Sequence, residues 1–173
     1  MRTWLTLSSI VLVSCSIAFA EPLPIANVQR GEPVVFEKDI LPINAADPEG
    51  YDVIFIGFPV QASSVPGKVE AFIKGIPDGK KLAYFVTHGS LRGGELAITA
   101  LYYALSLAVK QTVLGTFGCR GRVKPNLIEK LLQNPEHRGW AMEAQSAVGH
   151  PDDADLEDGK KFADFMIAKA RNI

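Results

Sequence analysis

Three observations in this sequence predict an α/β fold built on an open, doubly wound parallel sheet. Apolar runs of strand length recur from residue 33 onward, and segments with helical periodicity separate them. Short loops rich in small and polar residues follow the runs. With 173 residues, one such domain is expected, in three layers and large enough to bury a core without cross-links.

The elements follow in order. Pro33–Glu37 (PVVFE) is a short strand candidate. Tyr51–Phe58 (YDVIFIGF) is almost continuously apolar, as a strand covered on both faces should be. Ser64 can cap a helix that has Pro66 in its first turn and turns Val69, Phe72, Ile73 and Ile76 to one side. Asp78-Gly79 makes a turn into the strand Lys81–Val86. A helix over about 93–110 follows, with Ala97, Leu101, Leu105 and Ala108 on one stripe. Ala100 and Ala104 beside them are small enough for close approach to a sheet. Thr112–Gly118 is the next strand. Pro125–Gln133 reads as a short helix with Leu127, Ile128, Leu131 and Leu132 inward, and Trp140 as a packing residue on another. The last helix has Asp152, Asp153, Asp155, Glu157 and Asp158 at its start and Lys169 and Arg171 at its end, the order its dipole favours. Phe162, Phe165 and Met166 are expected against the sheet.

The opening segment reads two ways. Arg2, an apolar stretch to Phe19 and the small-x-small pattern Ala18-Phe19-Ala20 fit an export signal over residues 1–20, with a single domain at 21–173. That reading expects the periplasm or cell envelope. Leu12-Val13-Ser14-Cys15 also resembles a lipid-attachment box, although the apolar tail after Cys15 fits it badly. Alternatively the segment is part of a cytoplasmic fold, with a strand at Thr3–Leu7, a turn at Ser8-Ser9 and a helix at Ile10–Ala20. A wrongly assigned start of the reading frame is a third reading. No later segment is long and apolar enough to span a membrane.

Charge and cysteine usage exclude several classes. Eighteen basic and nineteen acidic residues give a net charge of −1 without any basic run, so nothing suggests nucleic-acid binding. Cys15 and Cys119 are too few for a disulfide framework. His137 and His150 show no ligand spacing, so no metal site is expected. Ser90 lacks a Gly-x-Ser-x-Gly context, which removes a serine hydrolase.

In doubly wound folds ligands bind beyond the carboxyl ends of the strands. There the chain carries Pro59-Val60-Gln61-Ala62-Ser63-Ser64, then Thr87-His88-Gly89-Ser90-Leu91-Arg92-Gly93-Gly94, then Cys119-Arg120-Gly121-Arg122. These loops can bring backbone N–H groups to a flat or anionic ligand, so a small-molecule site is expected at that edge.

At these residues the chain resembles the flavodoxin family. YDVIFIGFPVQASSVPGKVEAFI is similar to its third strand, first flavin-flanking loop and following helix. KKLAYFVTHGSLRGG is similar to its fourth strand and second loop, and two later segments, VLGTFGCRGRVKPNLIEKL and HPDDADLEDGKKFADFM, continue the order. The resemblance covers residues 33–170 and implies strand order 2-1-3-4-5, FMN as cofactor, and redox protein partners. It would place Pro59, Val60, Gln61 and Ala62 along one side of the flavin ring and Thr87, His88, Gly89 and Ser90 along the other. Neither loop offers a Trp or Tyr to stack on the ring. The family's phosphate loop has no counterpart: Ser8-Ser9-Ile10-Val11-Leu12-Val13 stands in its slot, and no glycine precedes Gly31.

The reading by resemblance is an FMN-binding carrier of electrons or a reductase-associated protein. Two others compete. Without the phosphate loop, the domain can be a binding module that holds no flavin. A caspase-like cysteine hydrolase would pair His88 with Cys119, but these stand 31 residues apart, short of the spacing of about 50 in that family, and Cys119 lacks a preceding Gln-Ala.

Overall fold

The computed structural model describes residues 9–14, 37–43, 46–91 and 93–173. Five strands form one parallel sheet: β1 (Ser9–Ser14), β2 (Glu37–Pro42), β3 (Val53–Pro59), β4 (Lys81–His88) and β5 (Thr112–Arg120), in the order β2-β1-β3-β4-β5. Five helices follow from β3 onward: α1 (Gly67–Gly75), α2 (Glu95–Leu107), α3 (Pro125–Leu132), α4 (Arg138–Gln145) and α5 (Asp153–Ala170). The predicted doubly wound sheet and its order are both present.

The opening segment contributes β1, and β1 lies inside the sheet. Ile10–Ser14 pairs in parallel with Val53–Gly57 of β3, and Ser9–Ser14 pairs with Glu37–Pro42 on the other side. The fold-internal alternative is therefore shifted. Its helix from Ile10 begins where the backbone is extended, and its strand at Thr3–Leu7 falls outside the described residues. Ser9–Val13, placed by resemblance in the phosphate-loop slot, is strand. Residues 15–36, which include residues 33–36 of the first strand candidate, fall outside the described residues, and the second strand is Glu37–Pro42.

Central burial explains the composition of β3, whose residues Val53–Phe58 are all buried. Ile54, Ile56 and Phe58 face α1 and α2 together with Leu82, Tyr84 and Val86 of β4. Val53 and Phe55 face α5 with Ala83, Leu114 and Met166. Alternation along each strand thus divides the core between two faces. Ala97, Ala100 and Ala104 bring α2 close to β4, as their size suggested.

Local rules account for the helix ends. The Asp152 side chain accepts from the Asp155 backbone N–H at 2.9 Å, and the Asp155 side chain accepts from the Asp152 N–H at 3.1 Å. This reciprocal cap fixes where α5 starts. At its other end Lys81 donates from Nζ to the carbonyls of Ala170 and Ile173 at 2.8 and 2.9 Å, placing a cation at the negative pole of the helix. Ser64 does not cap α1; Pro66 occupies that position without a side-chain hydrogen bond. Phe162 and Met166 pack on the sheet as expected, but Phe165 is 66% exposed and Leu127 is also exposed. Both lie just outside the arc of their helix that is covered.

Candidate functional site

The two loops assigned by resemblance meet at the carboxyl edge of the sheet, beside the β1/β3 position where the strand order reverses. Pro59 and Thr87 are register partners at the ends of β3 and β4, and the Val60 N–H donates to the Thr87 carbonyl at 2.8 Å. Parallel pairing therefore runs past β3 and holds the two loops side by side.

Beyond Val60 the chain turns sharply. Gln61 and Ser64 exchange backbone hydrogen bonds of 2.9 and 3.2 Å, and the residues between them, Ala62 and Ser63, have φ of 46° and 60°. Two consecutive left-handed non-glycine residues are unusual and cluster at ligand-binding turns. Gln61 and Ala62 are exposed, while Pro59 and Val60 are half-buried.

The second loop is anchored from the opposite side by α4. His88 and Ser90 are buried. His88 Nδ1 donates to the Ser90 carbonyl at 3.1 Å, which fixes the proton on that nitrogen, since a carbonyl only accepts. Trp140 Nε1 donates to Ser90 Oγ at 3.2 Å. A Cβ on Gly89 would lie 2.5 Å from Val123 Cγ2 and 3.1 Å from Trp140 Cζ2, so only glycine fits beneath α4. Burial lowers the His88 pKa, with the nearby Arg120 charge acting in the same direction and the Ser90 carbonyl opposing it. His88 is therefore a neutral structural imidazole at neutral pH.

The structure brings all eight sequence-assigned residues to one edge. It separates the proposed hydrolase pair. Thr87 pairs with Cys119 and His88 with Arg120, so alternation sends His88 and Cys119 to opposite faces of the sheet. A nucleophile–base contact needs hydrogen-bond reach, and this arrangement denies it.

One cluster escaped the sequence reading. His150, Asp152 and Asp155 each place a ligand-type atom within 4.8 Å of the others, against the expectation that His150 has no such neighbours. The Asp155 carboxylate accepts from His150 Nδ1, and the same two aspartates form the α5 cap. With Arg120, Ala154 and Asp158 they line a cavity of about 200 Å³. The visible signal was the spacing His-Pro-Asp-Asp-Ala-Asp at a helix start.

The sequence matches the model of the flavodoxin domain over residues 29–164. The chain belongs to the flavodoxin-domain family. The matched span begins after β1, so the family pattern is carried by β2 through α5. Solved structures with similarity to this flavodoxin domain include a flavoprotein from Lactobacillus acidophilus in complex with FMN, 13% identical over 65% of this chain and 93% of that one, with a TM-score of 0.39. An NADH:FMN oxidoreductase in its apo form is 15% identical over 85% and 98%, at 0.45. A flavone reductase is 12% identical over 83% and 65%, at 0.44. No curated protein gives a significant match.

Proposed function

We propose that this flavodoxin domain binds FMN at the carboxyl edge of β1, β3 and β4 and passes electrons between redox partners, as a carrier or a reductase-associated protein. The observation that carries the reading is the Val60–Thr87 hydrogen bond of 2.8 Å, which aligns the two ring-flanking loops at the switch point of the sheet. The residues there suit the ring portion of the cofactor. Val60 offers an apolar surface, Gln61 an exposed amide, and the left-handed turn at Ala62-Ser63 re-aims the backbone. Bound FMN would supply the electron chemistry, whereas the protein supplies position and environment. In this reading Val60 and Gln61 limit water at one side of the ring, and Gly89, held by Trp140, fixes the other wall.

The test is the visible absorption of purified 1–173 and 21–173, each incubated with FMN and desalted. Flavin bands retained by 1–173 and absent from 21–173 are expected, since the shorter form has no β1. A folded but colourless 1–173 would overturn the flavin reading in favour of a binding module. Localisation is tested separately. Cleavage after Ala20, the export expectation, would remove β1, and the mass of the chain recovered from its native cells distinguishes a retained segment from a removed one.

A further inference from the structure

Helix α2 is apolar around its whole circumference, yet only one side of it is covered. From Leu96 to Val109 the sequence carries no charged side chain. Ala97, Ala100 and Ala104 pack on the sheet, while Tyr102 is 68% and Val109 80% exposed, with Ile98 exposed between them and the helix start. Ile98 and Tyr102 share one face at helical spacing, with Thr99 and Ser106 beside them, and Val109 lies in the turn just past the helix end. A helix that is hydrophobic all round belongs in contact on all sides. The face lies on the outer side of α2, near the sheet edge formed by β5, where Thr116 is exposed. Tyr103 points away from it, toward α1, where the neighbouring Glu70 raises its pKa.

We propose that this face is the interface of a symmetric homodimer in which α2 packs antiparallel on α2 of a second copy. Charge complementarity singles out that occupant and that direction. Glu95 opens the helix and Lys110 follows its end, with no charge between them. Tyr102 lies near the middle of this stretch, so a two-fold axis through Tyr102 sets the Glu95 end of each copy beside the Lys110 end of the other. A parallel pairing would set Glu95 against Glu95. The same axis places Ile98 opposite Ser106, large against small, which allows close approach. The Lys110 ammonium makes an exposed ion pair with Asp78 at 3.5 Å, a contact weak enough to be shared. The interface is independent of flavin, since α2 presents to it the side turned away from the sheet.

Sedimentation velocity of full-length 1–173 across a concentration series tests the assignment. The wild-type chain should show a reversible monomer–dimer equilibrium. Tyr102→Glu sets like charges on the axis and should raise the dimer Kd by about a hundredfold, with circular dichroism unchanged because the site is exposed. Glu95→Lys and Lys110→Glu should each weaken the dimer several-fold, and the two together should restore it. A wild-type chain that stays monomeric throughout overturns the proposal. So does a dimer indifferent to Tyr102→Glu, or a double charge exchange that fails to restore what each single change weakened.

Discussion

The ring of Phe85 lies over Gly57, its partner across the β3–β4 ladder. A Cβ on Gly57 would stand 2.1 Å from Phe85 Cζ. Gly57 gives up side-chain packing of its own so that an aromatic ring from the neighbouring strand can fill the space above it.

Gly57→Ala should therefore destabilise the domain by about 1–3 kcal/mol, the usual cost of forcing extra volume into a packed core. Urea denaturation checks this. In a double-mutant cycle with Phe85→Leu the two costs should add to less than their sum, because the smaller side chain vacates the space the methyl needs.

Tyr84 is fully buried between Phe58 and the helices of its face, and its hydroxyl finds no hydrogen-bond partner among the described residues. Tyr84→Phe should leave stability unchanged or raise it by about 1 kcal/mol, because an unsatisfied buried hydroxyl disappears. Burial also pushes its phenol well above the ordinary range. Above about pH 10 an unfolded tyrosine releases a proton that folded Tyr84 keeps, so stability falls as pH rises. Alkaline unfolding curves of the Phe variant should lose that part of the slope.

His88 acts at the other end of the scale. Its pKa is lowered, first by burial, so below about pH 6.5 the unfolded chain binds a proton that the folded chain refuses. Stability is full above that pH and declines as pH falls through the window down to the folded pKa. His88→Asn should flatten the dependence while lowering stability at pH 7, as read from denaturation midpoints at a series of pH values.

Trp140→Phe removes the indole N–H that donates to the buried Ser90 hydroxyl but keeps a ring over Gly89. A loss of about 1 kcal/mol is expected, the net value of one hydrogen bond. Under the flavin reading the same variant should release FMN faster, since the wall formed by Gly89 loosens. Thermal melts with and without FMN separate the two effects.

Much of this arrangement was legible in the residues. The near-continuous apolar run of β3 announced a strand covered on both faces, and Asp152 with Asp155 announced the start of α5. The faces of α2 and α5 were harder, because periodicity gives an apolar arc but not how much of it a sheet will cover. Phe165 and Tyr102 lie where that arc outruns its partner. The opening segment was ambiguous for a different reason. A central strand and the core of an export signal are selected for the same property, apolarity over a short stretch, so composition cannot separate them. Only the pairing of Ser9–Ser14 with two neighbours distinguishes the strand. The His150 cluster escapes notice because the helix dipole accounts for its aspartates, although the spacing His-Pro-Asp-Asp-Ala-Asp stands in the sequence.

The position of β1 makes the amino-terminal end of this domain indispensable in a way that an edge strand would not be. Among the described residues β2 pairs only with β1. A cut after Ala20 would thus cost the sheet two of its five strands, and β3 would become a bare margin with a long row of unpaired amides and carbonyls. Such a margin invites annealing to another chain. Proteolysis between β1 and β2 that released β1 would convert the five-stranded open sheet into a three-stranded one with an aggregation-prone margin.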